Sequence, residues 1–77
     1  PPAPVKPMEP PPVPLILQKF QWMYGPSGWR LRYEFGEWVS MRMYPDNWDT
    51  LMVRQTARVI GGKIDIVTTK MPNTRIP

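Results

Sequence analysis

Cysteine and histidine are both absent from this chain. Without cysteine no disulfide can form, and composition leaves the redox compartment open. Without either residue a structural zinc site is excluded in its usual form. The commonest general base and the best nucleophile are missing too. Carboxylates are few: Glu9, Glu34, Glu37, Asp46, Asp49 and Asp65. Asp46 and Asp49 flank Asn47 in a segment that reads as a turn, and the spacing of a calcium loop is absent. Gly61-Gly62-Lys63 lacks the spacing of a phosphate-binding loop. No apolar run approaches the roughly 18 residues needed to cross a bilayer. The sequence therefore reads as a non-enzyme with no cofactor, no metal site and no membrane span.

What the chain does have is proline, positive charge and aromatic residues. Eight of its 12 prolines fall within the first fourteen residues, PPAPVKPMEPPPVP. Proline fixes φ and removes a backbone donor, so residues 1–14 are expected as an extended arm outside any core. Pro4 and Pro7 bracket Lys6 in a minimal P-x-x-P spacing, and Pro10, Pro11 and Pro12 continue it. These residues are candidates for docking onto a partner; an inert spacer has the same composition. The start at Pro1 fits either a small gene product that has lost its initiator methionine or a fragment.

From Leu15 onward the apolar residues alternate, which points to strands. Ile16, Phe20, Trp22 and Tyr24 share a parity broken only by Gln18, and Trp29, Leu31, Tyr33 and Phe35 share another. The GPSG segment between them reads as a hairpin loop. A third strand is expected over 38–44. For its register, a two-residue loop at Gly36-Glu37 would place Trp38, Ser40, Arg42 and Tyr44 on the aromatic face. A longer loop would place Val39, Met41 and Met43 there, and is preferred because burying Arg42 without a partner is costly. Gly61-Gly62 is a two-residue hairpin loop that pairs Val59 with Ile64 and Ala57 with Ile66. A helix over 47–60, capped by Asn47 and stopped by Gly61, is the alternative to a strand there. The β-branched residues in that stretch favour strand.

The expectation is a mostly β protein: a five-stranded antiparallel meander or barrel of SH3-like or OB-like size over residues 15–70, with a tail at 71–77. Its core would rest on Phe20, Trp22, Trp29, Leu31, Tyr33, Val53, Val59, Ile64 and Ile66. A core of this size supplies only about 3–5 kcal/mol, so association with other chains is expected to help.

The net charge is +4. In the preferred register Arg30, Arg32, Arg42, Arg54 and Arg58 share an outer face with Trp38 and Tyr44, and Trp48 lies nearby. Two functions compete. The leading one is a structural or assembly subunit that docks its arm and β domain onto a larger protein complex or homo-oligomer, such as a virion or other multi-copy particle. The alternative is single-stranded nucleic-acid binding, with guanidinium groups on phosphates and rings on bases.

Overall fold

The computed structural model describes residues 9–75. Helix α1, Leu15–Tyr24, comes first, followed by a single tight turn, Gly25–Ser27. Four strands follow: β1 Arg30–Glu34, β2 Glu37–Pro45, β3 Leu51–Ile60 and β4 Lys63–Pro72. They form one antiparallel sheet in the order β1-β2-β3-β4. The protein is mostly β, as expected, but the sheet has four strands and stays open, and the first expected strand is a helix.

The helix forms because Pro14 opens it without needing a donor, its carbonyl accepting from the Leu17 and Gln18 amides at 3.0 and 2.9 Å. Leu, Gln, Lys and Met then supply good helix formers. Val13, Leu17, Phe20 and Tyr24 recur at spacings of four, three and four, which is one helical face. Leu17 and Phe20 are buried on it, and Val13 packs against the core, so the fourteenth residue is not where the core begins. Gly28, at φ 92, ends the following turn with its N–H on the Gly25 carbonyl. Trp22 lies on the other side and is 85% exposed, which removes it from the expected core.

The β1–β2 turn is Phe35-Gly36, not Gly36-Glu37. Both residues have positive φ, 50° and 79°, as a type I′ turn demands. It sets Glu34 opposite Glu37, Tyr33 opposite Trp38 and Leu31 opposite Ser40. Trp38, Ser40, Arg42 and Tyr44 thus share a face with Leu31 and Tyr33, and the preferred register of the sequence reading is overturned. The premise was sound, but Arg42 has partners: its Nε donates to Gln55 Oε1 at 2.6 Å.

Residues 47–50 make a turn and 51–60 a strand, so the helical alternative does not form. The Gly61-Gly62 turn pairs Val59 with Ile64 and Ala57 with Ile66, as the sequence indicates. β4 runs to Pro72, and Asn73 is tied to the β2–β3 turn through the Thr50 and Asp49 carbonyls.

Helix α1 lies across one face of the sheet. Leu17, Phe20, Trp29 and Ala57 form the core, with Leu31, Trp38, Val59 and Ile64 around it. Phe20 meets Trp29 edge-on, with ring centres 5.0 Å apart. Ala57 is fully buried, and its small side chain lets the helix approach the sheet. A polar line crosses this interface. Ser40 donates to Gln21 Oε1 at 2.6 Å, and Gln21 Nε2 donates to the Trp29 carbonyl at 2.8 Å. Among the described residues no buried side-chain polar atom lacks a partner.

Candidate functional site

Two surfaces remain after the core is closed. The first surrounds α1. Leu15, Lys19, Trp22 and Met23 recur at helical spacing on the side away from Leu17 and Phe20. Leu15 is 64% and Met23 60% exposed, beside Trp22. The helix is therefore apolar on two sides, and only one of them is covered. Around its flank, between α1 and β4, runs a groove of about 640 Å³ floored by Ile64 and Ile66 and walled by Ile16, Phe20, Met23 and Tyr24. Lys19 and Arg42 are the charged side chains that line it. No acidic residue occurs in α1.

The second surface is the face of the sheet that α1 does not cover. Arg30 and Arg32 on β1 and Arg54 and Arg58 on β3 lie there, around Val39, Met41, Thr56 and Val67. Glu34, Glu37 and Asp65 are interspersed. Arg58 Nε contacts Glu37 Oε1 at 2.6 Å, and Arg32 contacts Glu34 at 3.5 Å. Both pairs are half-exposed, so each is worth little in stability. A shallow groove of about 290 Å³ runs between Arg54, Arg58 and Val67, with Phe35 at its end. Phe35 is fully exposed and holds a left-handed backbone that only glycine and a few polar residues adopt readily.

The structure divides the residues singled out in the sequence. Arg30, Arg32, Arg54 and Arg58 are together on the bare face. Arg42, Trp38 and Tyr44 are on the opposite, helix-covered face. Arg42 sits between the Trp29 and Tyr44 rings at 4.9 and 5.0 Å and reaches the Ser27 carbonyl at 3.4 Å. Trp38 Nε1 donates to the Pro11 carbonyl at 2.7 Å. Trp48, 84% exposed, stands alone on the β2–β3 turn. Of the arm residues, Pro4, Lys6 and Pro7 lie outside the described residues, while Pro10, Pro11 and Pro12 are exposed and run back onto the chain's own domain at Trp38. Phe35 and the Leu15–Trp22–Met23 stripe were not singled out. The stripe was legible once the i, i+4, i+7 spacing was tried on residues 15–23.

Asp46 organises the β2–β3 turn. Its Oδ1 accepts from the amides of Trp48, Thr50 and Leu51 at 3.2, 3.0 and 3.3 Å, and the Thr50 hydroxyl reaches Oδ2. Desolvation at the turn pushes this carboxyl up, but the hydrogen bonds from Leu51, Thr50 and Trp48 outweigh it and hold it below its ordinary value. This is turn chemistry, as the sequence indicates for the Asp46–Asp49 segment. Among the described residues no group of three or more acidic side chains converges as a metal site would require, and no helix is long and apolar enough to cross a membrane. No protein-family model, curated protein or solved structure matches this chain.

Proposed function

We propose that this chain is a non-catalytic structural or assembly subunit that docks its helix and its proline-rich arm onto a larger protein complex, of the kind found in virions and other multi-copy particles. The observation that carries the reading is the second apolar stripe of α1. A helix apolar on two sides is suited to burial on both. Leu15, Trp22 and Met23, exposed together, make the type of patch that marks a protein interface. Lys19 within this patch, with no acidic group on the helix, suits a partner of one chemistry: an apolar segment carrying carboxylates. The proline-rich composition of residues 1–8 suits a strap that loses little entropy on docking.

The test is incorporation into the native complex. Trp22→Lys leaves the fold intact, because Trp22 touches solvent, and abolishes incorporation. Deleting residues 1–8 weakens it while sparing Pro11, Val13 and Pro14, which belong to the domain. Normal incorporation of both variants would sink the proposal.

A second reading rests on the bare face. Four arginines on one uncovered sheet face, with an exposed phenylalanine at its rim, suit a single-stranded nucleic acid. The rings of Trp38 and Tyr44 do not take part, since they lie on the other face. Fluorescence anisotropy of labelled single-stranded DNA and RNA across a salt series tests this reading. Steep weakening with salt supports it, and no binding at low salt removes it.

A further inference from the structure

We propose that β4 pairs with β4 of a second copy of this chain, antiparallel, in one register centred on Val67. The proposal rests on the assembly reading above and names the partner strand. β4 is an edge strand and, among the described residues, pairs only with β3. The β3–β4 register runs without a bulge from Leu51–Pro72 to Ile60–Lys63. Edge strands that stay single are usually short, bulged or charged along their length. β4 has 10 residues, and its middle, residues 66–69, carries no charge. Ile66 and Val67, both 47% exposed, lie there.

The backbone decides which groups are free. Gly61 and Gly62, at φ 58° and 74°, form a type I′ turn, so the pair that closes it, Ile60 and Lys63, is hydrogen-bonded. Opposed residues in an antiparallel ladder alternate between bonded and non-bonded pairs. Every second residue from Lys63 therefore aims its N–H and C=O at β3. Ile64, Ile66, Thr68 and Lys70 aim theirs outward. Pro72 belongs to this outward set, where its missing N–H costs the β3–β4 ladder nothing.

A two-fold axis through the sheet can sit at several positions along β4, and only one matches all four outward residues. Centring on Val67 sets Ile64 against the partner's Lys70 and Ile66 against the partner's Thr68. Centring on Ile66 sends Lys70 to the turn, and centring on Thr68 sends Ile64 to a proline. Centring on Asp65 opposes two carboxylates. The Val67 register also places Asp65 against the partner's Thr69 and Lys63 against the partner's Met71, so no like charges meet. Val67 then faces its own copy. The product is a continuous sheet in which each copy keeps its groove and extends the other's floor.

A chain without cysteine makes the test clean. Non-hydrogen-bonded pairs bring Cα atoms to about 4.5 Å, within the disulfide range of about 4.4–6.8 Å. Val67→Cys is expected to form a covalent dimer under mild oxidation. Thr69→Cys alone is not, whereas Thr69→Cys mixed with Asp65→Cys is. Thr68→Pro removes an outward N–H and leaves the β3 ladder whole, so it converts a dimer to a monomer in sedimentation velocity with an unchanged circular-dichroism spectrum. A wild-type chain that sediments as a monomer at every concentration, or Val67→Cys that cross-links no better than Thr69→Cys, overturns the proposal. Trp22→Lys separates the two readings: it blocks docking into the complex and leaves the β4 pair intact.

Discussion

The guanidinium of Arg42 lies 4.9 Å from the centre of the Trp29 ring while its Nε donates to Gln55 at 2.6 Å. One side chain thus connects the turn after α1 with β2 and β3. Arg42→Met is expected to destabilise the domain by about 1–3 kcal/mol, through the lost charge-assisted hydrogen bond and the lost ring contact. Chemical denaturation of Arg42→Met, Gln55→Met and the double variant checks this. The two effects should be non-additive by the bond they share, while Arg42 keeps its ring contacts and Gln55 keeps its bond to the Thr68 hydroxyl at 3.2 Å.

Ala57 sets the distance between helix and sheet. Ala57→Leu is expected to cost about 1–3 kcal/mol by overpacking, which lowers the melting temperature by roughly 4–8 °C for each kcal/mol in a domain this small. Thermal unfolding measures it. An unchanged melting temperature would mean that the helix does not rest on Ala57.

Phe35 occupies a left-handed position with its side chain in solvent. Phe35→Asn is expected to stabilise the domain by about 1 kcal/mol, since asparagine adopts that backbone more readily. If the bare face takes nucleic acid, the same substitution weakens binding by removing a stacking ring. Stability and affinity would then move in opposite directions, read by denaturation and anisotropy on one sample.

The Asp46 carboxyl is held below its ordinary value of 3.8 by the turn amides. Its folded value is depressed, so its stabilising contribution is full above 3.8 and is lost as the pH falls through the lower, folded value. Asp46→Asn is therefore expected to be less stable than wild type at neutral pH, with the gap closing in strong acid. Denaturation midpoints at neutral pH and below pH 3.8 give the comparison.

The Gly61-Gly62 turn was the most legible part of the chain, whereas the GPSG segment and the loop at Gly36 were misread. Gly61-Gly62 announced its hairpin and its register, because two consecutive glycines suit a type I′ turn and few other structures. Residues 15–24 were misread because Phe20, Trp22 and Tyr24 satisfy a period of two as well as parts of a helical stripe. Gln18, which broke the alternation, was the signal, and Gln21 holds the interface through a polar contact that no apolar pattern records. Arg42 was misplaced because its partner, Gln55, comes from a strand distant in sequence. The arginines of the bare face were legible as a set from alternation alone, but the rings assigned to them followed the wrong loop at Phe35.

The order of elements along the chain has a consequence for biosynthesis. α1 leaves the ribosome before any strand, and the residue on which it rests, Ala57, comes near the end of β3. Until then Leu17 and Phe20 have only Trp29 and the residues of β1 and β2 beside them, while Trp22 and Met23 stay exposed even in the folded domain. Domains fold as units while the chain emerges N-terminus first. This one cannot close its core before β3 is made, and a nascent chain stalled before β3 offers both apolar stripes of α1 to whatever chaperone or subunit is nearest.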